Sequence, residues 1–300
     1  MSLSILTNIS AMNTQQNLLN SSNAVAKSMQ RLSSGLRINT AADDAAGYAI
    51  SEGLTSQTNG LSQAASNTND AVSMVQTASS SLTNVQNMLQ RVRELAVQYG
   101  NGSNSTAGKA SIQSEVDQLA SEINRQQTAS TFNGTNLLDG SAGGGAAGGA
   151  GTVTFQVGAN TGDTMTASFG AITGTASVGG SLNLSNGFDW SVVGSQSSSS
   201  HVFDLGTTNS VSALSNLDNA ISAISTQAGT LGAIQNRLQY TSDSINSTEQ
   251  NLSASNSQIK DVNMASEMTS LTQQQILEQA GTAMLAQANS QPQMILKLLQ

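Results

Sequence analysis

Few side chains in this sequence could perform catalysis. The chain of 300 residues contains one His, His201, and no Cys. A Ser-His-Asp hydrolase could use only His201, which follows the run Ser197 to Ser200 in a polar segment, and no G-x-S-x-G turn presents a nucleophile. We therefore predict that His201 is an exposed or turn histidine and that the chain is not an enzyme.

Two other motifs could hold a metal ion or a phosphate group. Asp43 and Asp44 are adjacent, so their side chains point in different directions, and no calcium-loop spacing follows them. We interpret them as helix-start or solvated carboxylates. Gly143, Gly145 and Gly148 satisfy G-x-G-x-x-G, but no strand precedes them, no helix follows, and so Gly-rich a segment produces the match by chance. We expect no metal and no cofactor.

A charged cluster is the third candidate for function. Arg91, Arg93 and Glu94 lie at the end of a long predicted helix, on or beside its polar face. Such a cluster is typical of a solvated helix face, and the alternative interpretation is a contact patch for a partner. The periodicity of the helix leaves both interpretations open.

The composition excludes several classes of protein. Charged residues are 9% of the chain and the net charge is −8, whereas charged residues are about 25% of typical soluble domains. A nucleic-acid binder should present a basic face, so we expect no nucleic-acid partner. No apolar run reaches the roughly 18 residues of a membrane span, so no membrane insertion is expected. The N-terminal residues lack the basic and apolar regions of a secretory signal peptide.

The spacing of apolar residues predicts long helices that must position any functional side chain. A repeat of seven residues predicts one helix over roughly 45 to 98 and another in the C-terminal part, and a 4-3-4 spacing predicts a third between them. The seams are narrow, which suits packing in a helical bundle better than a free two-stranded coiled coil. The seam residues are Leu54, Leu61, Thr68, Val75, Leu82, Leu89 and Ala96; Ile112, Val116, Leu119 and Ile123; and Leu217, Ile224, Leu231, Leu238, Ile245, Leu252 and Ile259.

Both ends of the chain are amphipathic and almost uncharged. Residues 1–26 carry no charge, and Lys297 is the only charged residue after Glu278. Pro292 is predicted to interrupt the last helical segment. A lone soluble monomer gains little from such surfaces, so we predict that another copy or a partner covers them. The candidate packing residues are Leu18, Val25, Met29, Leu32, Leu36, Ile276, Leu277, Met284 and Leu285.

The middle of the chain differs from both ends. Residues 141–205 are rich in Gly, Ser and Thr. Val153, Phe155 and Val157 alternate with polar residues, which predicts a half-buried strand, and residues 164–169 can form the return strand after a turn at 160–163. Further strand candidates are 172–178, 188–193 and 202–205.

Four motifs resemble the bacterial flagellins. They are LSSGLRINTAADDAAGYAI at residues 32–50, LQRVRELAVQ at 89–98, TFNGTNLL at 131–138 and LAQANSQPQMILKLLQ at 285–300. They occur in the right order at both ends, and the resemblance covers about residues 1–140 and 208–300. The middle is not recognisable, as flagellins vary there.

The resemblance implies a mainly α fold in which long antiparallel helices from both chain ends form a coiled-coil or bundle hairpin, with a small central β-hairpin region. It implies an inner filament-core domain of residues 1–44 plus 256–300 and a helical rod domain of 45–140 plus 206–255. Residues 141–205 would form a small variable outer region. A chain of this kind would polymerise with copies of itself into the extracellular flagellar filament used for swimming.

The resemblance also implies how the chain reaches the filament and what it meets. Flagellins leave the cell by the flagellar type III export channel without a cleaved signal peptide. An export chaperone, the hook–filament junction proteins and the filament cap proteins are the expected partners. An innate immune receptor would contact Arg91, Leu95 and Glu115, and a cytosolic sensor would read Leu296, Leu298 and Leu299. The chain ends in Gln300 where many relatives have Arg, which departs from the family pattern.

Two alternatives remain at the level of sequence. The chain could be a flagellin-related hook–filament junction protein or a surface adhesin, although the match at 89–98 disfavours a junction protein. Hydroxyls of the middle segment could accept O-linked sugars, and a flexible spacer is the other interpretation of the same residues. These hydroxyl residues are Ser195, Ser197, Ser198, Ser199 and Ser200.

Overall fold

The computed structural model describes residues 8–144, 150–172 and 210–298, with only the backbone at 144, 150, 210–213 and 292–298. These ranges contain helices α1 (Ile9–Ser34), α2 (Ala45–Tyr99), α3 (Thr106–Ala129), α4 (Ser210–Lys260) and α5 (Met264–Leu298). They also contain strands β1 (Thr131–Phe132), β2 (Thr135–Asn136), β3 (Ala150–Gln156) and β4 (Thr164–Gly170), paired as two antiparallel hairpins. The prediction of a mainly α protein with a small central β region is confirmed.

The described residues divide into two compact units. The terminal unit comprises the described residues of 1–58 and 250–300, and the middle unit comprises the described residues of 59–249. Helices α2 and α4 each contribute residues to both units. The inner, rod and outer domain boundaries given by the resemblance stay a prediction.

The seven-residue repeats of α2 and α4 form the core of the middle unit. The two helices run antiparallel there, because Gln86 Nε2 donates to Ser225 Oγ at 3.3 Å while Arg93 lies 2.6 Å from Asp218. Each fully buried Leu, Ile or Val stabilises the fold by about 1.5–3 kcal/mol. The repeat positions that are buried are Leu61, Thr68, Val75, Leu82, Leu89, Ala96, Leu217, Ile224, Leu231, Leu238 and Ile245.

Helix α3 adds a third stripe to this core. The Ser105 side chain accepts a hydrogen bond from the Gly108 N–H and so caps the helix start, where backbone donors lack helical partners. Ile112, Val116 and Ile123 are buried as their spacing predicted, and Leu119 packs partly against the core.

Strands β3 and β4 form the hairpin that the sequence predicted, and this hairpin packs on the helices of the middle unit. Phe155 pairs with Met165, and the backbone carbonyl oxygen of Asp163 accepts a hydrogen bond from the Val157 N–H across the turn. The strand is fixed to the helices because Gln227 Nε2 donates to the Ser168 carbonyl oxygen at 2.9 Å. The strand candidates at 173–178, 188–193 and 202–205 lie outside the described residues.

Two local features were not anticipated. The TFNGTNLL motif forms the β1–β2 hairpin, whose turn uses Asn133 and Gly134 at φ values of 48° and 78°. Asn-Gly is the residue pair that such a left-handed two-residue turn favours. The expectation that Pro292 interrupts the last helix is wrong, because α5 continues to Leu298. Proline removes one helical hydrogen bond, and good helix formers such as Leu296 and Lys297 follow it.

The loop between α1 and α2 is held by two carboxylates. Asp44 Oδ1 accepts from the Gly47 N–H at 2.9 Å at the start of α2, and Asp43 accepts from the N–H groups of Asn39 and Thr40. Lys27 Nζ lies 2.8 Å from Asp43. The side-chain hydrogen bond from Lys27 and the backbone hydrogen bonds lower the pKa of Asp43 from 3.8 to about 2.

Acid should therefore weaken this loop. Because the pKa of Asp43 is lower in the folded chain than in the unfolded one, its stabilisation is present above pH 3.8 and is lost as the pH falls towards about 2. We expect Asp43→Asn to lower the free energy of unfolding at about pH 6 and to have little effect at about pH 2. Urea unfolding followed by circular dichroism measures both values. An equal loss at the two pH values would contradict the assignment.

Candidate assembly interface

Helices α1 and α5 form an antiparallel pair in the terminal unit. Asn8 Nδ2 donates to the Ala288 carbonyl oxygen at 2.9 Å, and Arg31 Nη1 lies 3.8 Å from Glu267 Oε2. Residue numbers thus rise along α1 as they fall along α5. Asn8 also caps α1, since its side chain accepts from the Ala11 N–H.

Backbone hydrogen bonds fix the other end of this pair. The segment after α1 meets the segment between α4 and α5, where the Arg37 N–H donates to the Lys260 carbonyl oxygen at 2.6 Å. The Val262 N–H donates to the Gly35 carbonyl oxygen at 3.0 Å. Gly35 ends α1 at a φ of 73°, a conformation that a glycine adopts without steric cost.

In the part of α1 and α5 that the structure describes, few side chains are fully buried between the two helices. A Cβ atom added to Gly281 would lie 3.4 Å from Leu18 Cδ1, an ordinary van der Waals distance, so α5 lies close to α1 at this point. The buried side chains of the pair include Ser28, Leu271 and Ala288, of which only Leu271 is large and apolar. Leu18, Val25, Leu32 and Leu285 are half-buried, so the pair covers its large apolar side chains only in part.

The bulky apolar side chains of the pair lie mainly on its outer faces. Met12 is 65% exposed and Ile276 is 60% exposed. Met12 and Leu19 are seven residues apart on α1, as are Leu277 and Met284 on α5, so each couple shares one helix face. The exposed set comprises Ile9, Met12, Leu19 and Met29 on α1 and Met264, Met268, Ile276, Leu277 and Met284 on α5.

These outer faces carry almost no charge. Helix α1 contains Lys27 and Arg31, and α5 contains Glu267, Glu278 and Lys297. Arg31 and Glu267 pair with each other across the seam. Several exposed large apolar side chains on a surface with few charges are typical of a protein–protein interface.

The nine predicted packing residues fall into two groups. Leu18, Val25, Leu32, Leu36 and Leu285 are half-buried in the terminal unit. Met29, Ile276, Leu277 and Met284 are exposed on the outer faces. Five further exposed apolar residues were not predicted, although the charge-poor composition of both helices is a signal for them: Ile9, Met12, Leu19, Met264 and Met268.

A second surface lies where α2 and α3 pack side by side. Arg91 Nε and Nη2 donate to Glu115 Oε1 at 2.9 and 2.8 Å, and Arg91 Nη1 donates to Glu94 at 3.2 Å. The hydrogen bond that Arg91 donates to Glu115, followed by the one it donates to Glu94, raises the pKa of Arg91, so its guanidinium stays charged. Arg91 and Glu94 are exposed and Glu115 is half-exposed, which leaves the ion pair open to a partner.

Leu95 is placed differently from these charged neighbours. Its side chain is 2% exposed and belongs to the core of the middle unit. Within this chain Leu95 therefore supports the surface from beneath. Its predicted contact with a receptor stays a prediction.

The remaining candidate residues lie at the edge of the described ranges or outside them. Leu296 and Leu298 are in the last turns of α5, where the backbone alone is described, and Leu299 lies beyond. His201 and the candidate glycosylation serines at 195 and 197–200 are outside the described residues.

The described residues show no arrangement for other chemistry. Within 8–144, 150–172 and 210–298, no three His, Asp or Glu side chains gather in a group that could hold a metal ion. No helix in the same ranges combines the length and apolarity needed to cross a membrane.

Two family models match most of the chain. The bacterial flagellin N-terminal helical region matches residues 5–143, and the bacterial flagellin C-terminal helical region matches residues 214–299. The two matches contain all of α1, α2, α3 and α5 and nearly all of α4. The segment between them holds the β3–β4 hairpin.

Relatives of known identity match the chain along nearly its whole length. The flagellin of Halalkalibacterium halodurans is 41% identical and that of Bacillus subtilis is 42% identical, and each alignment covers 97% of this chain and 98% of the relative. The flagellar filament 33 kDa core protein of Treponema phagedenis is 43% identical with the same coverage. The chain belongs to the bacterial flagellin family, and it is a structural protein of the flagellar filament rather than an enzyme.

Proposed function

We propose that the chain polymerises through the outer faces of α1 and α5, defined by the nine exposed apolar residues above, to form the core of a filament used for swimming. The observation that carries this proposal is the set of nine large apolar side chains left exposed on α1 and α5, whereas Leu271 is the only large apolar side chain that the described part of these two helices buries. Covering one large apolar side chain stabilises an assembly by about 1.5–3 kcal/mol, so several such residues per copy supply the driving force.

Charge patterning supports the same arrangement. A charge buried at an interface without a partner costs several kcal/mol. The outer faces of α1 and α5 avoid this cost, because the charges of these helices are few and two of them pair across the seam. The nearly full-length match to flagellins also favours a filament subunit over a hook–filament junction protein or an adhesin.

Seeded growth tests this function directly. Purified protein incubated with short filament fragments should elongate into helical filaments visible by negative-stain electron microscopy, in proportion to the protein added. Loss of soluble protein on sedimentation gives the extent of growth. Protein that stays monomeric with seeds present, over a range of concentrations and salt, would contradict the proposal.

We also propose that the exposed Arg91–Glu115 pair is read by an innate immune receptor. The support is geometric, because an arginine held by two carboxylates presents a fixed array of donors and acceptors. In this arrangement Arg91 and Glu115 face the receptor, and Leu95 keeps α2 in place below them.

Receptor activation by the monomer tests that surface. We expect Arg91→Ala to lower activation about tenfold or more, because an arginine at an interface is often a residue that dominates binding. Arg125→Ala is the matched control, since Arg125 is also exposed and also pairs with a glutamate, Glu122, three residues away. Reporter cells give activation as a function of protein concentration. Equal losses in the two variants, or none, would contradict the proposal.

The other partners and the cellular location follow from family membership and stay proposals. An export chaperone would cover the apolar faces of α5 in the monomer, and the C-terminal leucines Leu296, Leu298 and Leu299 would meet a cytosolic sensor. Filament cap and hook–filament junction proteins would contact the chain during assembly. The protein would act outside the cell, after export without a cleaved signal peptide.

A further inference from the structure

The methionines are distributed unevenly between the two units. Both units contain methionine, but those of the middle unit are covered: Met74 and Met165 are each 6% exposed, and Met88 packs partly against the core. In α1 and α5, every methionine with a described side chain is at least half exposed. These five residues, called here the outer methionines, are Met12, Met29, Met264, Met268 and Met284.

Exposure of a thioether sulfur determines how fast it is oxidised. A peroxide transfers one oxygen atom to the sulfur as the O–O bond breaks, so methionine loses two electrons to become the sulfoxide and the peroxide is reduced to water. The buried sulfurs of Met74 and Met165 are shielded from this reaction. The outer methionines are open to it as long as the chain is a free monomer.

The effect of methionine sulfoxide depends on whether the residue is exposed or lies in an apolar interface. A sulfoxide is polar and accepts hydrogen bonds, so it disfavours burial in an apolar interface. On an exposed position of the monomer it removes no packing contact, and the fold should persist. On the outer faces of α1 and α5 it places polar groups where polymerisation requires apolar cover.

We propose that the outer methionines form an oxidative modification site that blocks polymerisation of the monomer and is protected once the filament has formed. This inference rests on the proposed function, because it takes the outer faces to be the assembly surface. It goes beyond that function because it assigns peroxide sensitivity to five named sulfur atoms, and to the free monomer but not to the filament. Reduction by methionine sulfoxide reductases of both stereospecificities should restore assembly.

The experiment compares monomers and preformed filaments treated with hydrogen peroxide. Mass spectrometry of proteolytic fragments locates the sulfoxides, and seeded elongation measures assembly. In the monomer, sulfoxide should form at the outer methionines about tenfold faster than at Met74 and Met165, following their exposure. Elongation should fall in parallel and return after reductase treatment. In filaments, the same five residues should be protected.

Two multiple variants assign the effect to these sulfurs. Replacing all five outer methionines by leucine keeps the surface apolar, and this variant should elongate normally and keep elongating after peroxide. The matched control replaces Met74, Met88 and Met165 by leucine. It should elongate before treatment and, like the unmodified chain, lose elongation after peroxide treatment. Met1 and Met294 are present in both variants, so a difference between them reports on the outer methionines.

Several outcomes would overturn the inference. These are normal elongation by monomers oxidised at the outer methionines, continued sensitivity of the five-leucine variant, and equal oxidation in filaments and monomers. If the five-leucine variant does not elongate before treatment, the reductase experiment on the unmodified chain decides: recovery supports the inference, and its absence overturns it. Failure of untreated, unmodified protein to elongate would instead count against the proposed function.

Discussion

Ile276→Asp is expected to abolish filament growth while leaving the isolated chain folded. Ile276 is 60% exposed and lies on α5 away from the buried seam residues Leu271 and Ala288. In the monomer the new carboxylate is solvated, so the free energy of unfolding should change by less than about 0.5 kcal/mol. In a filament every copy would bury an unpaired charge, at a cost of several kcal/mol per subunit.

Two further variants sharpen this result. Ile276→Leu keeps an apolar side chain of equal size and should elongate like the unmodified chain. Leu285→Asp should also block growth, but Leu285 is half-buried beside α1, so the charge should loosen the helix pair as well. Sedimentation after seeding and circular dichroism of the monomer separate the two effects. Normal filaments from Ile276→Asp would show that this face of α5 is not an assembly surface.

Leu95→Ala is expected to cost about 2–5 kcal/mol of the free energy of unfolding, as for other large-to-small substitutions in a packed core. Leu95 is 2% exposed and lies in the core formed by α2, α3 and α4. The substitution leaves a cavity under the surface that carries Arg91 and Glu115. Urea unfolding followed by circular dichroism measures the loss.

Val97→Ala is the matched control for this substitution. Val97 is two residues from Leu95 on the same helix and is 53% exposed. Its truncation should change the free energy of unfolding by less than about 0.5 kcal/mol. Similar costs for the two variants would show that Leu95 is not part of the core. A loss of receptor activation in Leu95→Ala without any loss of stability would favour direct contact by Leu95.

The sequence predicted the long helices well because their signal is local and repeated. The spacing of seven from Leu217 to Ile245 places one residue per two turns on a single face, and that face is buried in α4. The strand pattern at Val153, Phe155 and Val157 is equally local, and it appears as β3 continuing into the turn. Patterns of this kind specify which residues share a face without knowledge of the partner.

Local signals that lacked a periodic context were missed or misjudged. The Asn133–Gly134 pair forms the β1–β2 turn, but its strands are two residues long and show no alternation that could be recognised. Pro292 was expected to interrupt the last helix, yet α5 continues through it. A proline removes one hydrogen bond of a helix, and whether the helix ends there depends on the residues around it and on their packing.

The sequence alone determined that the N- and C-terminal parts form amphipathic helices with almost no charge, and that the chain has few catalytic groups. Composition and spacing are properties of the linear chain. Only the tertiary structure decided which apolar residues face inward. Leu18 and Met12 belong to the same amphipathic helix, but the antiparallel register of α1 against α5, with Gly281 close to Leu18, leaves Leu18 half-buried and Met12 exposed. Contact between residues more than 250 positions apart sets that register, and no local pattern contains it.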